Sequence, residues 1–228
     1  MEYEGIGRVD WNGLRRRIEA TGLVARGGFH PEPKDGVPGR PGTLVLLGNA
    51  GPGMWAAFGR AHRDEPDPLD SWTRRIVSAL AQELGAQALF PFGGPPYLPF
   101  QRWAMKAEPV HPSPIGPLIH PEYGLWHAYR GALAFEERLT LPAPDRRPSP
   151  CESCADKPCL TGCPVNALRP GAYDVPACVG HISSPAGADC LEAGCRARRA
   201  CPVGREYVYA PAQAGFHMRH FRRAQSED

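Results

Sequence analysis

Cysteine is missing from residues 1–150. All eight cysteines of the 228-residue chain lie between Cys151 and Cys201, so any sulfur chemistry is confined to one stretch. A charge excess is missing too. The 26 basic and 24 acidic side chains leave a net charge of +2, a balance that does not mark a polyanion binder, so nucleic acid is not the expected partner. No apolar run approaches the roughly 18–20 residues of a membrane span; Leu44 to Leu47 is soon interrupted by glycine and proline. The opening "MEYEGIGRVD" has neither the basic nor the apolar segment of a secretory leader. The expectation is a cytoplasmic protein with no membrane partner. Side-chain catalytic signatures are absent as well: there is no GxSxG, no HExxH, and no cysteine outside 151–201 to act as a nucleophile.

What is present is sulfur in two groups. The first reads Cys151-x2-Cys154-x4-Cys159-x3-Cys163-Pro164. The second is Cys178, then Cys190-x4-Cys195-x5-Cys201-Pro202. A reducing compartment disfavours disulfides. Zinc sites usually use two C-x2-C pairs or Cys/His pairs, and only one C-x2-C occurs here. The bacterial ferredoxin run, C-x2-C-x2-C-x3-C-P, sends its fourth cysteine to the other cluster. This chain keeps the x3 gap and the Cys-Pro ending, and has that ending twice. Two [4Fe-4S] clusters therefore account for eight thiols with none left over. By the crossing rule Cys151, Cys154, Cys159 and Cys201 form one set, and Cys163, Cys178, Cys190 and Cys195 the other.

An oxidised cube with four thiolates carries a charge of about −2. The arginines at 196, 198 and 199 are placed to compensate it. His181, in "CVGHI", is a further candidate ligand, but eight cysteines suffice and a structural role is favoured. Basic residues also crowd positions 217–223.

The first two-thirds reads as alternating helix and strand. Asp10 caps a helix over 10–21 that carries Trp11, Leu14 and Ile18 on one face, with Gly22 as its stop. "TLVLLG" (43–48) is a buried strand. Residues 70–85 form the best helix, with Trp72, Ile76, Leu80 and Leu84 on its apolar face and Asp70 or Ser71 as cap. "AQALFPF" and 125–135 are further strands. "GNAGPG" (48–53) matches no phosphate-loop pattern and reads as a plain turn with no helix start after it. Residues 91–108, rich in proline and aromatics, read equally as a core-lining loop or the wall of an apolar pocket. The polar, proline-rich 141–150 is a linker. The expected organisation is an α/β (α+β layered) domain over 1–147, a two-[4Fe-4S] ferredoxin-like domain over 148–210, and a basic tail over 211–228.

"FQRWAMKAE…SPIGPLIHPEYGLWHAYRGALAF", followed by a proline-rich link and two cysteine groups ending in Cys-Pro, resembles the epoxyqueuosine reductase family. In that family a cobalamin-binding α/β domain precedes a two-cluster module. "HPEYGLWHAYRGAL" is also similar to the family that removes upper ligands from vitamin B12. The resemblance implies a corrinoid near His120, Pro121, Gly124, Trp126 and Arg130, fed with electrons by the clusters. "FGGPPYLPFQR" has no carboxylate where epoxyqueuosine reductases carry an acidic proton donor, which marks a divergent relative with its own substrate. The expected function is iron–sulfur electron transfer to a cofactor or substrate in the chain's first domain, served by a redox partner protein. The alternatives are a ferredoxin-type carrier for a separate enzyme, or a zinc- or cluster-stabilised RNA-binding protein.

Overall fold

The computed structural model describes residues 10–61 and 63–226. The opening stretch, read above as lacking a secretory leader, lies, apart from Asp10, outside the described residues. The chain forms two compact units. The first runs to Asn49 and adds Gly53–Glu108 and Ala128–Arg146; the second combines Ala50–Pro52, Pro109–His127 and everything from Arg147 on. Residues 50–52 and 109–127 thus cluster with the cysteine-rich part.

The first unit is α+β. Helix α1 (Trp11–Ala20) starts where the sequence placed it, because the Asp10 carboxylate accepts the Gly13 N–H at 2.6 Å. Its apolar face buries Leu14 and Ile18. Strands β1 (Val24–Phe29), β2 (Thr43–Ala50), β3 (Gln87–Leu89) and β6 (His127–Phe135) form one sheet in the order β1-β2-β6-β3. The β1–β2 and β3–β6 pairs are antiparallel, so this is not the parallel layer that strand–helix alternation favours. Every residue of β2 up to Asn49 is buried, as expected for a central strand.

Helix α3 (Pro68–Leu84) begins two residues earlier than expected, with Pro68 in the first turn instead of a side-chain cap at Asp70 or Ser71. Its buried stripe is Leu69, Trp72, Thr73, Val77, Leu80 and Leu84. Val77, not Ile76, continues it, because a strict four-residue repeat drifts off a 3.6-residue turn. Two helices went unseen in the sequence. Helix α2 (Gly53–Ala61) follows directly on "GNAGPG", so a helix does start there. Helix α4 (Phe100–Ala107) buries Phe100 and Trp103 within the proline-rich stretch. The Trp103 Nε1–H donates to the Asp35 carbonyl at 2.9 Å. Lys106, from the same helix, pairs with the Asp35 carboxylate. Phe100, Trp103 and Ala104 thus line the core, while Tyr97 is exposed.

A buried ionic cluster joins three elements of this unit. Arg26 (β1) is 1% exposed. Its Nε and Nη2 donate to the two Glu108 oxygens at 3.2 and 2.6 Å, and its Nη1 to the Asn49 carbonyl at 2.7 Å. Tyr129 (β6) donates its hydroxyl to Glu108. Burial, reinforced by the Glu108 charge, pushes the Tyr129 phenol well above its ordinary range.

The second unit is built from short pieces. Strands β4 (His111–Pro112) and β5 (Leu118–Ile119) form one small hairpin; β7 (Leu168–Arg169) and β8 (Ala172–Tyr173) form another. The helices are α5 (Pro150–Ser153), α6 (Pro158–Thr161), α7 (Val175–Ile182), α8 (Ala188–Ala193), α9 (Arg196–Arg199) and α10 (Pro211–Ala224). The expected basic tail is therefore mostly helix, and α10 packs on α8. A Cβ on Gly215 would meet the Glu192 carbonyl at 2.6 Å, so the two helices approach closely. Among the described residues no helix is long and apolar enough to cross a membrane.

Candidate metal centres

The short helices of the second unit carry or flank the cysteines, and Cys151 and Cys195 lie at helix N-termini, where unsatisfied backbone N–H groups favour a thiolate. Cys151 opens α5 behind Pro150, Cys154 ends it, and Cys159 lies in α6. Cys163 follows α6, Cys178 sits in α7, Cys190 in α8, and Cys195 caps α9. Cys201 follows Ala200, the C-cap of α9. All eight are free thiols.

They gather in two fours. Cys151, Cys154, Cys159 and Cys201 line one cavity of about 20 Å³, walled by Ile119, Leu125 and Val203. A cube could sit there only with the four thiols drawn apart. Cys163, Cys178, Cys190 and Cys195 line a second cavity of about 380 Å³ with Ile115, Tyr173, His181 and Phe221 among its walls. Each four draws members from both ends of the cysteine-rich stretch, in the same sets as the crossing rule. Among the described residues no three His, Cys, Asp or Glu side chains close on one point as a single-ion site does.

The electrostatics follow the same division. Burial, then the neighbouring Cys201, Cys151 and Cys154 sulfurs, raises the Cys159 thiol above its ordinary range. Burial also raises Cys151 and Cys201, and each feels other members of its own set. In the second set burial raises Cys178, with Cys163 and Cys190 adding to it, and raises Cys195, with Cys190 and Cys178 adding to it. Buried thiols crowded by their own kind stay protonated unless a cation joins them. Donors are in place to stabilise the charged form. The Ala167 N–H donates to Cys163 Sγ at 3.3 Å. The Ala197 and Arg198 N–H groups favour the Cys195 thiolate, and the Val203 N–H that of Cys201.

The arginines divide by role. The Arg198 guanidinium lies 4.6 Å from the ring centres of both Trp126 and Tyr209, and its Nε donates to the Leu125 carbonyl at 3.0 Å. Arg196 and Arg199 both pair with Asp189. Arg196 and Arg198 also line the second cavity.

Of the five residues expected around a corrinoid, Arg130 belongs to one unit and the other four to the other. Arg130 belongs to the first unit, where it pairs with Asp70 and donates to Thr73. His120 is buried, and its Nδ1 accepts the Glu122 and Tyr123 N–H groups at 3.1 and 3.2 Å. Pro121 sits in the turn that this imidazole closes. Gly124 has φ +56°, and a Cβ there would lie 2.0 Å from the Val203 carbonyl. Trp126 is packed against Tyr209 and Arg198. His120, Gly124, Trp126 and Arg130 thus each make contacts within their own unit. The sequence reading missed the part played by 109–127 in walling the cysteine cavities. Its signal was the apolar, turn-rich "SPIGPLI".

An α+β unit joined in one chain to a unit with two four-thiol cavities is the class that the structure defines. Its fold is that of the epoxyqueuosine reductases. A crystal structure of epoxyqueuosine reductase with an epoxyqueuosine-modified tRNA-Tyr stem loop matches 88% of this chain and 66% of its own, with a TM-score of 0.51 and 14% identity. A selenomethionine-labelled epoxyqueuosine reductase matches 89% and 70%, with a TM-score of 0.53 and 15% identity. The Bacillus subtilis enzyme matches 89% and 69%, with a TM-score of 0.50 and 15% identity. The chain thus spans about two thirds of the length of these proteins, and the likeness at such identity is one of fold. No protein-family model and no curated protein sequence matches the chain.

Proposed function

We propose that this chain is an iron–sulfur redox protein that holds one [4Fe-4S] cluster in each four-thiol cavity. The observation that carries the reading is the pairing of the cavities: eight cysteines, two cavities, four thiols in each. Bound there, the clusters would supply one-electron transfer. The protein's own part is to deliver thiolates, to offset their charge with backbone N–H groups and arginine, and to keep water out with Ile115, Ile119 and Leu125. Zinc is the weaker reading, because it explains neither the two Cys-Pro endings nor the exchange of cysteines between groups. The cobalamin implied by the resemblance is not carried forward, since His120, Gly124, Trp126 and Arg130 already serve contacts within their own units. The electron acceptor is a reducible group held by the first unit or by a separate enzyme. Protein isolated without oxygen should be brown, lose absorbance on dithionite reduction and regain it on reoxidation. A colourless zinc protein would end the proposal.

A second reading concerns partners. One structure of similar fold is a complex with a tRNA stem loop, which reopens the nucleic-acid partner that the charge balance set aside. Phe216, Arg219, His220, Arg222 and Arg223 of α10 surround a cavity of about 390 Å³, a combination of ring and cation suited to an RNA backbone and base. Binding to a stem-loop RNA that weakens steeply with salt, and is lost on charge reversal at Arg222 and Arg223, would support it. Salt-independent or absent binding would remove it.

A further inference from the structure

His181 lies three residues after Cys178 on helix α7, so the two side chains share a helix face. Both line the second cysteine cavity. The His181 Nε2 is fully buried and has no hydrogen-bond partner. A buried ring nitrogen without a partner is costly, so its persistence calls for an acceptor that binds there.

The surroundings indicate which acceptor. Cys163, Cys178, Cys190 and Cys195 line the same cavity as the imidazole, and Cys163 already accepts the Ala167 N–H at 3.3 Å. The backbone of His181 lies against the turn that leads into α8, the helix that carries Cys190: a Cβ on Gly187 would meet the His181 carbonyl at 2.0 Å. The His181 backbone is thus held against the approach to α8, and its ring shares the cavity with Cys178, one turn away on α7, and Cys190.

We infer that His181 is a positioning residue for the second centre, donating its Nε2–H to sulfur on the side of Cys178 and Cys190 and raising the reduction potential of that centre alone. The inference rests on the iron–sulfur reading above. Its physics is simple. Reduction adds negative charge to the sulfurs, and a hydrogen bond to them stabilises the reduced state more than the oxidised one. No counterpart histidine lines the first cavity, so the effect falls on one centre of the two.

The test compares His181→Ala and His181→Gln in the full chain, loaded with clusters and checked for native far-UV circular dichroism. Iron is counted, and both potentials are read by EPR-monitored titration. The second centre is identified as the one whose signal Cys163→Ser alters. The expected result is that His181→Ala lowers the second potential and leaves the first unchanged, while His181→Gln, which keeps an N–H, stays near the wild type. Loss of half the iron in His181→Ala with full iron in His181→Gln also supports the donor role. Unchanged potentials in His181→Ala would overturn it. So would loss of half the iron in both variants, which would make the imidazole itself an iron ligand. If the wild type takes up no iron and sulfide, the cluster reading fails first, and the control reports that separately.

Discussion

Cys154, from the first cysteine group, and Cys201, the last cysteine of the second, line the same cavity. Cys163, much nearer to Cys154 in sequence, lines the other. This crossing sets the first prediction. Cys154→Ser and Cys201→Ser should each alter one EPR signal, and Cys163→Ser and Cys195→Ser should each alter the other. If Cys154→Ser and Cys163→Ser alter one common signal, the grouping is wrong.

The Arg26–Glu108 pair is buried on both sides, at 1% and 11% exposure. Truncating one member leaves an uncompensated buried charge, which costs about 3–5 kcal/mol. Arg26→Ala should therefore lower the urea midpoint of the first unit strongly, with the iron content of the second unit as a control. A shift below about 1 kcal/mol would mean that the pair is hydrated and the cluster of Arg26, Glu108 and Tyr129 contributes little.

Gly124 has φ +56° and faces the Val203 carbonyl, while Gly204 has φ +70° and faces the Tyr123 carbonyl group. Neither position has room for a side chain. Gly124→Ala adds left-handed strain of about 1–2 kcal/mol and overpacking of about 1–3 kcal/mol. It should lower the melting temperature and loosen the wall that Val203 gives the first cavity. Unchanged melting would refute the close approach.

Asp35 gives a pH dependence. Burial acts to raise its carboxyl, but the hydrogen bond from Lys106 and the Glu32 N–H outweigh it and hold the group below the usual carboxylate range. The native state thus binds this proton less readily than the unfolded chain does. The stability it contributes is present above the ordinary carboxylate pKa and is lost as pH falls through the lowered value. Stability curves from pH 6 down to 3 should be flatter in Asp35→Asn than in the wild type. Parallel curves would show that the Asp35 contacts are not linked to folding.

How far the sequence led depended on how local each signal was. Helix α1 was legible because Asp10, Leu14 and Ile18 act within one helix. The fours of cysteines were legible because the Cys-Pro endings and gaps are covalent facts. Helix α4 was hidden because Pro95, Pro96 and Pro99 precede it and Phe100 and Trp103 look alike in a loop or a helix. The affiliation of 109–127 was invisible, since it depends on contacts such as Ile119 with Cys159 and Cys201, which no periodicity encodes. His120, Gly124 and Trp126 stood out through a family likeness, yet their side chains serve the turn, the close approach and the cation–π stack. Arg130 stood out beside them, but its partner Asp70 lies 60 residues away.

The most direct measurement is a joint count of iron and acid-labile sulfide on protein purified without oxygen. The account predicts about eight of each per chain, from two four-iron centres. One or two equivalents of zinc with no sulfide, or a metal-free protein that takes up neither iron nor sulfide on reconstitution, would contradict it.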